Sequence, residues 1–201
     1  MTIILDMGGV LMLHNMPECI ARFTAIIGEE KMQTMLGLTT NGEGNADSLM
    51  EQYERGDVST DYFVNTILEH AKEGTTRDEV IAAWNAMHGG IPAERLLHIQ
   101  QWKDAGHRLF LLSNNNELHW EHILSQYDMS MMEYCFASHL MHMSKPDPRI
   151  YEAVDEQLRA WNCEPPFHFV DDIAINRETA EVLGWKTYET IYEVALARTT
   201  Q

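Results

Sequence analysis

The sequence predicts an α/β protein, a doubly wound parallel sheet interrupted by an all-helical insertion. Three observations predict it. Short apolar runs recur along the chain and end abruptly in polar residues, as buried strands of a parallel sheet do. Stretches with apolar residues at helical spacing separate most of these runs, which is the alternation of a βαβ architecture. Residues from about 17 to 88 break that alternation, carrying helix-forming sequence only.

TIILDMGG is a buried strand meeting a tight turn. The helical block follows, with Ile20, Phe23 and Ile27, then Phe63, Ile67, Leu68 and Ala71, at helical spacing. LGLTTNGEGNADS within it is a Gly/Asn/Thr-rich loop, and Ser59 or Thr60 suits the N-cap of the next helix. A helix over 93–105 stops at Gly106. RLFLLSNNN is the second strand, a helix over about 118–127 follows, and YCFAS is the third strand. Pro146 and Pro148 punctuate a loop before a helix over 150–161. FHFVDD is the fourth strand, a helix over about 176–183 ends at Gly184, and WKTYE is the fifth strand. The expected division is a core of residues 1–14 and 91–201, with residues 15–90 as an inserted helical domain.

Of the 201 residues, 45% are hydrophobic and 22% charged, enough apolar mass to exclude a disordered chain. Lys+Arg number 14 and Asp+Glu 31, a formal charge of −17. Such a field repels phosphate backbones and anionic lipid, so neither nucleic acid nor membrane is an expected partner. An anionic ligand would need positive charge built locally. Cys19, Cys135 and Cys163 lie far apart, which suits isolated thiols in a reducing compartment. The chain opens without a basic stretch leading into an apolar core, so a cytoplasmic location without a leader peptide is expected. The histidines form no H-E-x-x-H pattern, and the methionines at 129, 131, 132, 141 and 143 are expected to pack.

Ligands of open parallel sheets bind beyond the carboxyl ends of the strands. Asp6, Ser113 and the pair Asp171-Asp172 fall at such ends, and Lys145 opens a loop that leads into a helix. Singly, each has an ordinary structural explanation as a turn residue, a cap or a solvated charge. Together they supply what one chemistry requires. A carboxylate serves as nucleophile. Carboxylates from two strands hold a hard cation such as Mg²⁺. A hydroxyl, backbone N–H groups and a lysine grip phosphoryl oxygens.

The four segments ILDMGGVL, LFLLSNNN, SKPDPRIY and FHFVDDIAIN resemble, in order and spacing, the four motifs of the haloacid dehalogenase (HAD) superfamily of hydrolases. YERGDVSTDYF and GHRLFLLSNNNELH further resemble the subgroup containing bacterial α-D-glucose-1-phosphate phosphatase and the phosphatase domain of epoxide hydrolases. The resemblance implies a Mg²⁺-dependent phosphatase acting on a small phosphorylated metabolite through an aspartyl-phosphate, with the helical insertion as its cap. It implies Asp6 as nucleophile, Ser113 and Asn114 as phosphoryl-oxygen contacts, and Lys145 as partner of both nucleophile and phosphate. It further implies Asp6, Asp172 and the carbonyl of Gly8 as metal ligands, with Asp171 and Asn176 behind them.

One position departs from the commonest pattern. The family's first motif usually carries a second Asp, acting as general acid and base, where this chain has Gly8. The subgroup shares that glycine, so activity stays the leading expectation. A HAD-fold protein with little catalysis, binding a phosphoryl ligand or a protein partner, is the alternative. His14, just past the motif, is open to two readings: a replacement acid/base group or a packing histidine at the entry to the insertion. Within the insertion, Asn41, Glu43, Glu54 and Arg55 are candidates to face the substrate. Arg55 is placed as an anion contact and weighed against an ion-paired surface arginine.

Overall fold

The structure, a computed structural model, describes residues 1–37 and 48–194. Five strands form one sheet: β1 (Thr2–Leu5), β2 (Arg108–Ser113), β3 (Tyr134–Ala137), β4 (His168–Val170) and β5 (Lys186–Tyr188). Their order is β3-β2-β1-β4-β5, and every pairing is parallel. The helices among the described residues are α1 (Met16–Ile27), α2 (Glu29–Leu36), α3 (Leu49–Glu54), α4 (Thr60–Leu68), α5 (Arg77–Asn85), α6 (Ala93–Asp104), α7 (Glu117–Gln126), α8 (Ser138–Met141), α9 (Pro148–Ala160) and α10 (Ala174–Val182). The predicted doubly wound fold and all five predicted strands are therefore present.

All four residues of the central strand β1 are buried, and its register sets Ile4 between Phe110 and Phe169. Side chains alternate across a strand, and the core divides accordingly. Ile3, Leu5, Leu109, Leu111 and Val170 pack on one face with Ile99 and Trp102 of α6 and Ile123 of α7. Ile4, Phe110, Leu112 and Phe169 pack on the other with Ile150, Tyr151, Val154 and Leu158 of α9. The chain runs outward through β1, β2 and β3, then crosses back to place β4 on the far side of β1. The topological switch of the sheet therefore falls between β1 and β4, where ligands of such sheets bind.

Helices α1 to α5 bury a cluster of their own, including Phe23, Tyr53, Phe63, Val80 and Trp84. Tyr53 stacks on Phe63 at 4.3 Å between centroids, and Phe63 meets Trp84 at 4.8 Å. None of the five exceeds 12 residues, too short to persist alone in water. Burial of each large apolar side chain contributes roughly 1.5–3 kcal/mol, which is what holds them. Ser48, Ser59 and Thr76 cap α3, α4 and α5 through their hydroxyls, so Ser59 rather than Thr60 is the cap. The two chain segments that join this block to the sheet are bonded to each other, with Leu13 N–H donating to Gly90 O (2.9 Å), Gly89 N–H to Leu13 O (2.7 Å) and Asn15 N–H to Met87 O (2.7 Å).

Two details differ from expectation. Helix α9 begins at Pro148 itself, because the Asp147 side chain accepts from Arg149 N–H and proline suits a first helical turn. Helix α8 has four residues, too few to show a period. The expected loop positions Asn41 and Glu43 lie outside the described residues. The three cysteines are free, with Cys19 and Cys163 buried. No described helix is long and apolar enough to cross a membrane.

Candidate active site

Asp6 is the first residue past β1, and its N–H extends the ladder to Val170 O at 2.8 Å. Its carboxylate is buried. Oδ1 accepts the Met7 N–H at 2.7 Å and faces Lys145 Nζ at 2.9 Å. Oδ2 has no donor among the described residues. Lys145, itself buried, is aimed there by the end of β2. Asn114 Nδ2 donates to Lys145 O at 2.9 Å, and Lys145 N–H returns a bond to Asn114 Oδ1 at 2.8 Å.

The two adjacent carboxylates after β4 have different surroundings. Asp171 is fully buried with both oxygens committed. Oδ1 accepts from Ile173 N–H (2.9 Å) and Asn176 Nδ2 (3.0 Å), and Oδ2 accepts from Lys145 Nζ (2.6 Å) and Asn176 Nδ2 (3.1 Å). Asp172 is exposed and lies over the turn after β1. A β-carbon on Gly9 would come within 2.1 Å of its Oδ2, so only glycine lets this carboxylate rest against that backbone. Gly9 also has φ +73°, and Arg95 pins its carbonyl at 3.0 Å and that of Val10 at 2.7 Å.

Burial pushes the Asp6 carboxyl up to about 6, against the pull of Lys145. Burial also disfavours the Lys145 charge, but the facing carboxylates of Asp6 and Asp171 outweigh it and raise the lysine's pKa. Lys145 is thus a cation between two carboxylates. It is the local positive charge that an anionic ligand needs in a chain of net charge −17.

Between the segments that follow β1 and β2 and the helical block lies a cavity of about 60 Å³, several times the roughly 10–15 Å³ that one water needs. Its walls include Gly8, His14, Glu54, His88, Ser113 and Asn114. Glu54 ends α3 and reaches the cavity from the helical block. Burial, with repulsion from Glu51 and Asp6, pushes its carboxyl up to about 8, while Lys145 opposes the rise. Burial with the charges of His122 and His14 holds His88 down at about 4, and burial depresses His119, also on the wall, well below the usual range.

The structure brings Asp6, Gly8, Ser113, Asn114, Lys145, Asp171, Asp172 and Asn176 to one end of the sheet. It does not bring Arg55 to the cavity wall; that guanidinium pairs with Asp57 at 2.9 Å. His88 and His119 were not singled out by the sequence. They reach the wall from elements far apart along the chain, and no local pattern marks them. Carboxylate oxygens of Asp6, Asp171 and Asp172 all fall within 4.8 Å of one another, a set suited to a hard cation. The cradle formed by Gly9 beneath Asp172 fits that use, because it leaves room for one exposed carboxylate against the turn after β1.

Three carboxylates and one buried lysine at the carboxyl ends of a parallel sheet define a site for a hard cation beside an anionic ligand. Residues 1–173 match the family described as haloacid dehalogenase-like hydrolase, and the chain belongs to that family. It is similar to a HAD-family enzyme of Bacteroides thetaiotaomicron crystallised with magnesium and inorganic phosphate, at 25% identity and a TM-score of 0.78, over 100% of this chain and 98% of that one. It is also similar to a HAD-like family hydrolase of Porphyromonas gingivalis, at 29% identity and a TM-score of 0.76, over 93% and 89%. L-2-haloacid dehalogenase of Xanthobacter autotrophicus shares the fold at 15% identity and a TM-score of 0.55, over 92% and 75%.

Proposed function

We propose that this chain is a Mg²⁺-dependent phosphoric monoester hydrolase acting on a small phosphorylated metabolite, a sugar phosphate foremost. One observation carries the reading: Lys145 bridges Asp6 and Asp171 while Asp6 keeps Oδ2 clear of donors. Nucleophilic attack needs an unengaged carboxylate oxygen, and a phosphate needs a nearby fixed cation. The magnesium and phosphate held by the B. thetaiotaomicron relative support the same reading.

Asp6 Oδ2 attacks phosphorus, and the bond to the leaving oxygen breaks as the aspartyl-phosphate forms. Ser113 Oγ, the Asn114 backbone N–H and Lys145 Nζ hold the phosphoryl oxygens. Water then attacks phosphorus and Asp6 leaves. Mg²⁺ held by Asp6, Asp172 and the Gly8 carbonyl would neutralise the phosphate charge facing the carboxylates. Asp171, its oxygens already committed, orients Lys145, and Asn176 orients Asp171. Residues 15–90 form the cap, which closes over the leaving group and excludes water.

Phosphate release from p-nitrophenyl phosphate with Mg²⁺, and its loss in EDTA, tests this function; a panel of phosphorylated metabolites then identifies the substrate. Gly8 alone favours the second reading, a phosphoryl binder with little catalysis. Ligand binding without phosphate release from any member of the panel would select it.

A further inference from the structure

We propose that Glu54, delivered by the helical insertion, donates the proton to the leaving oxygen and later takes one from the attacking water. This rests on the phosphatase reading and names the group that does the work Gly8 cannot. The space next to Gly8 holds the His14 ring, with Cε1 2.4 Å from where a β-carbon there would lie, and no acid side chain. Glu54 enters from the opposite body of the protein and shares the wall with Gly8 and Ser113.

Its backbone is fixed against the sheet domain, which makes the placement reproducible. Ser138 Oγ accepts the Asn115 N–H at 2.9 Å and lies within bonding reach of both the Asn115 and Glu54 carbonyl oxygens, which share its one proton. Two residues on, Gly56 has φ +71° and sits so close to His139 that a β-carbon would come within 2.3 Å of its carbonyl oxygen. The turn after α3 thus rests directly on α8. The Tyr53 hydroxyl accepts the Leu118 N–H at 3.1 Å, a further tie between the two bodies beside Glu54.

The proton balance closes. In the first half-reaction Asp6 forms its bond to phosphorus, the phosphorus–oxygen bond to the leaving group breaks, and the proton of the Glu54 carboxyl passes to that oxygen. The alcohol departs and Glu54 is left ionised. In the second, Glu54 takes a proton from water as the water oxygen bonds to phosphorus, Asp6 is released, and Glu54 is again neutral. The charged and titratable groups around Glu54 are Glu51 on its own helix, Asp6, Lys145, and the cavity histidines His14, His88 and His119. Burial beside Glu51 and Asp6 favours the neutral acid that the first step uses.

The test is Glu54→Gln on the full chain, with p-nitrophenyl phosphate and a primary alkyl phosphate side by side. For p-nitrophenyl phosphate, kcat/KM reports formation of the aspartyl-phosphate with a leaving group that needs no proton. We expect it to fall by less than about tenfold, while kcat/KM on the alkyl phosphate falls about 10²–10⁴-fold, the usual worth of a positioned acid. Glu54→Asp, which keeps the carboxyl, should restore part of the alkyl activity; it also serves if the Gln variant does not fold. Equal losses on both substrates in a folded variant would overturn the proposal and leave Glu54 a packing residue. A substrate-selective loss in His14→Gln but not in Glu54→Gln would overturn it in favour of His14. A wild-type chain that releases phosphate from neither substrate would instead remove the phosphatase reading itself.

Discussion

The imidazole of His14 occupies the space that a side chain on Gly8 would need: a β-carbon there would lie 2.4 Å from Cε1 and 2.6 Å from Nε2. Restoring the family's commoner second Asp by Gly8→Asp therefore requires this ring, the end of an exposed side chain, to move aside. Gly8→Asp alone should lower stability by at most about 1 kcal/mol in urea titration, the low end of overpacking costs, and His14→Ala in the same chain should recover most of it. Additive losses in the double-mutant cycle would contradict the contact.

Gly9→Ala should weaken metal binding, with some loss of stability as well because Gly9 has φ +73°. Its β-carbon would meet Asp172 Oδ2 at 2.1 Å and displace that carboxylate. Loss of an orienting contact around a metal typically costs about 10–100-fold in affinity. Calorimetric titration with Mg²⁺ should show a loss of that size, matching Asp172→Ala in direction, whereas unchanged affinity would mean Asp172 is not a ligand.

Lys145→Met removes the buried cation between Asp6 and Asp171. Breaking a buried pair from one side costs about 3–5 kcal/mol, because the remaining charge is left uncompensated. The loss should be smaller at about pH 5 than at about pH 7, since protonation of Asp6 relieves the repulsion. Urea unfolding at the two pH values measures this. A larger loss in acid would contradict the electrostatic account.

The pH–rate profile follows from two carboxyls raised for the same reason, burial. Asp6 must be ionised to attack, so activity is lost as pH falls through its pKa, about 6 in the metal-free site. A bound cation favours the ionised form, so rising Mg²⁺ should move this acid limb to lower pH. Glu54 must be protonated to donate, so kcat/KM on a primary alkyl phosphate should fall as pH rises through about 8. Glu54→Gln should remove that alkaline limb and leave the acid limb in place.

Much of this was legible in the sequence, for local reasons. The runs TIIL, RLFLLS and FHFV are apolar enough to be buried on both faces and end in polar residues, so Asp6, Ser113 and Asp171-Asp172 could be set at strand ends without coordinates. What was not legible depends on meetings across long separations. Nothing near Asp171 says that both its oxygens are spent on Lys145, Ile173 and Asn176. Nothing near His14 says that its ring rests against Gly8. Glu54 and Arg55 are adjacent and equally polar, yet one reaches the cavity and the other pairs with Asp57. Helix rotation decides that, and the packing of Leu49 and Tyr53 into the helical cluster sets it.

The central claim is that phosphoryl transfer proceeds through Asp6. The most direct test is acid-quenched mass spectrometry of the full chain during turnover of p-nitrophenyl phosphate with Mg²⁺. The account predicts a peptide containing Asp6 heavier by one phosphoryl group, absent in Asp6→Asn and longer-lived in Glu54→Gln, which lacks the base for water. Phosphate release by wild type at full rate with Asp6 never modified, or undiminished turnover in Asp6→Asn, would contradict it.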